Sequence, residues 1–413
     1  MKKLNAYPTY FILAGASAFF FTLVFTVNLI YQVTLVGLNP LQLVLVGTVL
    51  EITVFLGEVP TGVLADVYSR RLSIIIGMLL IGAGFLLEGA IPSFTAILLA
   101  QLLWGLGATF TSGATEAWLA DEVGEAKAGP AYLRGAQMGQ LGSLLGIVVS
   151  IALASLTQVN IPILVGGGLF LGLALFLIVV MPEQGFTPTP TGDRNSWHSM
   201  AQTLRSGVGL VRTSPLLLTI LGIGAIYGMF SEGLDRLWTA HLLHNFTLPS
   251  LGWFEPIVWF GIIDGVAMLI SILTTELARR RLDTNHQPSV TRLLFFINTL
   301  LLTSVITFAL AGNFTVALLA LWLITPLREL NAPLQTAWIN QGLDPKIRAT
   351  IISIRNQADA IGQIAGGPVV GAIGTFGSLR LALTVAGLAL SPALLLYTWT
   401  IRRNRELLAL EEA

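Results

Sequence analysis

Ionisable side chains are scarce in this sequence, and many of its acids fall inside long apolar runs. Glu51 and Glu58 stand seven residues apart, on one stripe if their run is helical. Glu116 and Asp264 are isolated in further runs. Glu232, Asp235 and Arg236 cluster, with Glu232 and Arg236 spaced for an intrahelical pair. Arg328, Asn331 and Gln335 share a stripe beside Glu329, and Arg355 and Asp359 repeat the four-residue spacing. If these runs cross a membrane, each charge there costs about 2.5–3.5 kcal/mol on insertion scales, and such groups face an interior cavity and mark function. Burial in general raises a carboxyl pKa, so an acid without a local cation can load and release a proton near neutral pH. Glu51, Glu58, Glu116 and Asp264 meet that condition. Glu51 and Asp264 are the deepest and are the expected carriers; Glu58 and Glu116 lie nearer the surface, where gating is the expected role. Asp359 is a further proton-coupling candidate, although its arginine, like Arg236 beside Glu232, equally fits a structural ion pair. For Glu51 and Asp264 the competing reading is a protonated acid hydrogen-bonded between helices.

Other polar and aromatic residues describe a cavity. Asn28, Tyr31 and Gln32 lie in the first run, Trp104, Phe110 and Trp118 in the fourth, Tyr227 and Trp238 in the seventh, and Trp322 and Trp338 in the tenth. With Glu232, Arg236, Arg328, Asn331 and Gln335 they suit an amphipathic organic molecule better than a sugar or an inorganic ion. Packing between helices, or an interfacial belt, accounts equally for any single aromatic. Other chemistry is excluded or unsupported. Without cysteine there is no disulfide, thiolate metal site or cysteine nucleophile. His198, His241, His244 and His286 do not cluster, so no metal and no cofactor is expected. No Gly-flanked serine pairs with a histidine, and an enzyme is not expected. Equal numbers of acidic and basic residues, 22 each, give no basic surface for nucleic acid.

The elements that must position these residues follow from composition. The 413 residues are 54% hydrophobic and 11% charged, against about 25% charged in a soluble protein. Reading in spans of roughly 20 apolar residues gives twelve: Thr9 to Leu35, Leu41 to Ala65, Leu72 to Gly89, Phe94 to Leu119, Leu133 to Leu156, Ile161 to Val180, Leu216 to Leu242, Leu251 to Leu277, Leu293 to Ala311, Phe314 to Ile339, Ile351 to Thr375 and Leu381 to Ile401. Backbone in lipid must satisfy its own hydrogen bonds, so these spans are helices. Met1-Lys2-Lys3 precedes the first run without a small-residue cleavage site, and a retained helix is expected rather than a cleaved signal. The fold class is an all-α membrane protein.

Lysine and arginine occupy alternate links: Arg70 and Arg71; Lys127; Arg194, Arg205 and Arg212; Arg279 to Arg281; Lys346 and Arg348; then Arg402, Arg403 and Arg405. Both termini and these links are therefore expected in the cytoplasm, with Arg380 as the exception. The longest link divides the chain into a bundle over 1–181, a linker over 182–215 and a second bundle over 216–413. Within the linker, Trp197, Met200, Leu204, Val208 and Val211 have helical spacing, which fits either a surface helix or a loosely ordered segment. The halves match weakly: Ala117-Trp118-Leu119 with Ala337-Trp338-Ile339, and Gly139-Gln140 with Gly362-Gln363, at offsets of 220 and 223 residues. Two parallel repeats that rock against each other are expected.

Between the second and third spans stands Gly62-Val-Leu-Ala-Asp66-Val-Tyr-Ser-Arg70-Arg71. Gly62 is of a size that lets another helix approach, and a carboxylate at Asp66 suits the N-terminus of a neighbouring helix. The segment resembles the signature loop of the major facilitator superfamily, G-x-L-a-D-r-x-G-r-[KR], with Val67 replacing a basic residue and Ser69 a glycine. The resemblance, over the whole chain, implies two pseudo-symmetric six-helix bundles. It also implies that Asp66 caps the eleventh span and that Arg70 pairs with Asp121, so that Gly62, Asp66, Arg70, Arg71 and Asp121 form a conformational clasp. Simple enforcement of topology by Arg70 and Arg71 is the alternative. Two antiporter signatures are imperfect: Gln101-Leu-Leu-Trp104-Gly105 lacks the arginine of R-x-x-q-G, and the fifth span carries Gly135, Gly139, Gly142 and Gly146 but no proline among them. The nearest glycine-proline match, Gly362 to Gly371, lies in the eleventh.

Ser112-Gly-Ala-Thr-Glu116-Ala-Trp118 resembles the drug–proton antiporter branch of tetracycline and macrolide efflux proteins. That resemblance implies a monomeric secondary transporter in the cell inner membrane, exporting hydrophobic or amphipathic small molecules against protons or another cation, with a role in antibiotic resistance. Transport of a lipid, lysolipid or siderophore, and a receptor or scaffold that has lost transport, are the alternatives.

Overall fold

A computed structural model describes residues 4–188, 215–250, 257–281, 287–342 and 345–411. The expected surface helix from Trp197 to Val211 lies outside them. The elements are α1 (Ala6–Thr34), α2 (Pro40–Val67), α3 (Arg70–Ala90), α4 (Phe94–Thr111), α5 (Ala114–Val123), α6 (Glu125–Leu156), α7 (Ile161–Val180), α8 (Pro215–Asn245), α9 (Val258–Arg281), α10 (Gln287–Leu310), α11 (Phe314–Gly342), α12 (Pro345–Phe376), α13 (Leu379–Leu388) and α14 (Ser391–Glu411). No strand occurs among the described residues.

Eleven described helices are long and apolar enough to cross a membrane, counting Phe94–Val123 and Leu379–Arg403 as single spans. The remaining expected span, the eleventh, is α12, whose 32 residues suffice in length. Asp359, Gln363 and the glycines around them make it too polar to qualify by composition. The expected all-α membrane fold is what the chain adopts. Two expected continuous spans are instead broken. The fourth divides into α4 and α5 because Gly113 takes a φ of +69°, a left-handed turn closed to most other residues. The twelfth divides into α13 and α14. The fifth begins at Glu125, ahead of the expected Leu133.

Helix starts follow local chemistry. Asn39 and Gln42 form a reciprocal cap on α2: Asn39 Oδ1 accepts from Gln42 N at 2.9 Å, and Gln42 Oε1 from Asn39 N at 3.0 Å, with Pro40 at the first helical position. Ser69, Ser93 and Ser378 cap α3, α4 and α13 by accepting the N–H of the residue three places on.

The chain forms two compact units. The first comprises Met1–Leu38, Val49–Ser196 and Pro249–Ile262. In it α1 packs along α6 and α7, and α3 along α4 and α7. Close approach of α1 and α6 depends on glycine: a Cβ on Gly142 would stand 2.3 Å from the Gly15 carbonyl oxygen. Phe20, Phe21, Phe25, Phe85, Phe170 and Trp104 interlock at its centre, Phe21 and Phe170 with centroids 4.8 Å apart. The second unit comprises Asn39–Thr48, Trp197–Leu248 and Ile263–Ala413. There α8 packs along α12, and α10 along α11. Trp118 in the first unit and Trp338 in the second, matched in the internal repeat, are both wholly buried. Leu145, Val148, Leu273 and Leu395 are among many apolar side chains left exposed, as an exterior solvated by lipid requires.

Candidate functional site

In the second unit, α8, α11 and α12 bring most of the predicted charges together. Glu232 and Arg236 lie one turn apart, and the Arg236 guanidinium donates to the buried Glu232 carboxylate at 3.1 Å. Asp235, rotated about 100° from Arg236 on the same helix, faces α11 instead. Both of its oxygens accept from Arg328, one at 2.8 Å, a bidentate geometry that fits guanidinium to carboxylate. The Arg328 guanidinium also lies over the Phe230 ring, 5.9 Å from its centroid. The α11 stripe continues inward: Asn331 accepts from Asn298 of α10 at 3.0 Å, and Gln335 donates to the Tyr397 hydroxyl of α14 at 3.3 Å. A cavity of about 270 Å³ opens beside this network, lined by Tyr227, Thr325, Arg328, Glu329 and Ala332. A phenol, a hydroxyl and charges of both signs equip it to hold a polar or zwitterionic group.

One expected pair is not formed. Arg355 does not bridge to Asp359 but donates to Gln335 on α11 and to Asn356, and Asp359 accepts from Gln363 at 2.9 Å. The amide carbonyl of the neighbouring helix takes the guanidinium that helical spacing alone assigned to Asp359. Asp264 is half-buried on α9 and has no hydrogen-bond or ion-pair partner among the described residues. Trp322 donates to the carbonyl of adjacent Ile263 at 3.3 Å.

The first unit distributes its predicted residues differently. Glu51 is half-buried on α2, while Glu58 and Glu116 are exposed. The Glu116 carbonyl accepts from the Tyr132 hydroxyl at 2.9 Å, which ties α5 to α6. Phe110 is half-buried, and its carbonyl accepts from Ser73 of α3 at 2.8 Å. Trp104 packs on Phe25 and Phe85 and donates to Gln101 at 2.8 Å. Asn28, Tyr31 and Gln32 are all buried. Rather than lining open space, they turn to an acid absent from the sequence candidates, Glu88 on α3, whose carboxyl accepts from Asn28 at 2.9 Å and from Gln32 at 2.8 Å. The available signal was the spacing of Asn28 and Gln32, one turn apart in an apolar run, which requires a polar partner across from them. Glu88 stands next to the last residue of its expected span, Leu72 to Gly89, and was not singled out.

The loop from Gly62 to Arg71 is built into this unit. Arg70 donates to Asp121 of α5 at 2.6 Å, lies 3.5 Å from Asp66, and stacks 5.9 Å from the Phe186 ring centroid. Arg71 donates through its side chain to the Ile178 carbonyl at 2.5 Å. Gly62 departs from expectation: a Cβ there would meet nothing within 4 Å among the described residues. Sequence reasoning also missed Glu183. Its carboxylate accepts from Ser69 Oγ at 2.7 Å and from the Arg71 backbone N–H at 2.9 Å, so it caps α3 together with Ser69. Glu122 similarly receives the N–H of Gly185 at 2.7 Å, and Trp118 donates to the Pro182 carbonyl at 2.8 Å. The segment after α7 is thereby fastened across the ends of α3 and α5.

Comparison with known proteins places this arrangement. The model of the Major Facilitator Superfamily matches residues 10–327. The uncharacterized MFS-type transporter YxaM of Bacillus subtilis (strain 168) is 25% identical over 361 residues, 87% of each chain. The nucleoside transporter NupG has a similar structure, with a TM-score of 0.76 and 14% identity over 96% of this chain and 98% of that one. So does the peptide transporter POT in complex with sulfate, with a TM-score of 0.72 and 13% identity over 97% and 95%. At such identities the two structures establish a shared fold and nothing finer. The helical membrane architecture and a family model covering most of the sequence lead to one assignment: the chain belongs to the Major Facilitator Superfamily and is a multi-pass membrane transporter.

Proposed function

We propose that this transporter exports amphipathic organic molecules from the cell in exchange for protons. The observation that carries the substrate class is the cavity beside the Asp235–Arg328 pair, where the aromatic Tyr227 meets polar Thr325 and the charged Arg328 and Glu329. The Tyr227 ring and Ala332 offer a small apolar wall and Thr325, Arg328 and Glu329 a polar one, so these walls support a molecule that joins an apolar part to a polar or charged group. Glu51 and Asp264, half-buried acids within spanning helices, are the proton carriers of this reading. Glu58 and Glu116 take gating roles, and Asp359 is a further proton-coupling group. Transport proceeds by alternating access, with the halves over 1–181 and 216–413 as the two repeats. The Arg70–Asp121 contact is the clasp that holds one of the two states. Charge in the links supports cytoplasmic termini, and the cell membrane of a bacterium is the expected site, with the protein acting as a monomer.

The opposite charges of Arg328 and Glu329 favour a second reading, in which the substrate is zwitterionic or rich in hydrogen-bonding groups. Structural relatives named for peptides and nucleosides fit that chemistry. A thermal-shift screen of purified protein separates the two, because a ligand stabilises the native state by RT ln(1 + [L]/Kd). Stabilisation by lipophilic cations and amphipathic antibiotics supports the first. Stabilisation confined to dipeptides or nucleosides replaces it with the second.

A further inference from the structure

Glu88 is wholly buried near the end of α3, and side-chain amides from two other helices point at its carboxyl. From α1, Asn28 Nδ2 and Gln32 Nε2 donate to Oε1 at 2.9 Å and 2.8 Å. From α4, Gln101 Nε2 stands 3.4 Å from Oε2, and Trp104 holds Gln101 in place through its indole N–H. Tyr31 is the titratable group facing the site from α1, and its hydroxyl donates to the Glu88 backbone carbonyl at 2.6 Å. Beyond it, Asn160 at the start of α7 donates to the Gly89 carbonyl at 3.0 Å. Two buried acceptors of the cluster are left without a donor among the described residues, Asn160 Oδ1 at its edge and Gln32 Oε1 beside the carboxyl. Gln32 Nε2, by contrast, serves both Asn28 and Glu88.

A buried acceptor left unmade costs about 1–3 kcal/mol, and a network with one spare acceptor beside a carboxyl has the parts for two arrangements. With Glu88 ionised, the carboxylate accepts from the amides, as observed. With a proton taken from hydronium, the same carboxyl becomes a donor, its charge is cancelled, and a half-turn of the Gln32 amide brings Oε1 round to accept the new O–H. The same half-turn carries Nε2 away from Asn28 Oδ1, so the Gln32–Asn28 hydrogen bond breaks on protonation and re-forms when the proton leaves by the reverse step.

We propose that Glu88, ringed by Asn28, Gln32 and Gln101, is a buried binding site for one proton in the first unit, and that the Gln32 amide reports its occupancy to α1. As a coupling element it rests on the proton-exchange reading above; as a titrating group it stands alone.

Infrared difference spectroscopy of the full chain in liposomes, titrated from alkaline to acid pH, tests the site. The carbonyl stretch of a protonated, buried carboxyl is expected to grow in at low pH and to be lost in Glu88→Gln, which preserves side-chain size. The same band at full strength in Glu88→Gln overturns the proposal. If that variant does not fold, Gln32→Met keeps the acid and removes the spare acceptor. A shift in the band and in its pH midpoint is then expected, and an unaltered band overturns the assignment. Replacing sodium with choline should leave the titration unchanged; suppression of the band by sodium identifies a metal-ion site instead and overturns the proton assignment. Flux driven by a pH gradient without a Glu88 band sinks the site alone, whereas the band without such flux sinks only its use in coupling.

Discussion

Arg328 and Asp235 set the polarity of the second unit's interior, and each depends on the other to offset desolvation. Removing one charge from a wholly buried pair costs about 3–5 kcal/mol. Asp235 is 46% exposed and Arg328 26%, so Asp235→Asn should cost less, about 1–3 kcal/mol by the same reasoning. Thermal melts in detergent should show the loss, with partial recovery when Asp235→Arg is combined with Arg328→Asp. An unchanged melting temperature in Asp235→Asn would mean that the pair contributes nothing. The sequence made some of these residues legible and hid others, for physical reasons. Helical periodicity is enough to put Glu232 beside Arg236 and to line up Arg328, Asn331 and Gln335. It carries no information about which neighbouring helix competes for a side chain, and so Arg355 was assigned to Asp359 although Gln335 takes it. Glu88 was missed because hydropathy at the edge of a run does not distinguish an interfacial acid from one turned inward.

Among the elements, α1 and α6 are held together by surfaces that only small residues permit. Gly142→Ala would place a methyl group 2.3 Å from the Gly15 carbonyl. Overpacking of that kind costs about 1–3 kcal/mol or more, and a clear fall in melting temperature is expected. Gly139→Ala is the matched control, since its Cβ would meet Ala18 at an ordinary 3.7 Å. An equal fall in both would remove the packing argument. At the start of α3, Glu183→Ala loses hydrogen bonds to Ser69 and Arg71. Loss of a helix cap typically costs about 1 kcal/mol, measurable in the same melts, whereas no change would show that Ser69 caps α3 unaided. The twelve spans were readable because twenty apolar residues in lipid leave the backbone few alternatives. Their breaks were not readable. The turn at Gly113 needs one residue of left-handed backbone, and a glycine inside an apolar run does not announce its φ.

For the whole molecule, family membership follows from the signature loop and the family model, whereas direction and driving force are proposals. Absence of cysteine makes topology directly measurable, since single substitutions have no background. Tyr68→Cys, at an exposed position beside the signature loop, should resist a membrane-impermeant maleimide in intact cells. Gly312→Cys, in a link without lysine or arginine, should be labelled. The reverse pattern would invert the proposed orientation. The central claim is that protons drive the exchange through Glu51 and Asp264, and one measurement addresses it most directly. Proteoliposomes loaded with a substrate identified by thermal shift are given a pH gradient, and flux is followed for the native chain, Glu51→Gln and Asp264→Asn. Gradient-driven flux is expected in the native protein and its loss in both variants, with substrate-induced stabilisation retained. Undiminished gradient-driven flux in both variants would contradict that claim.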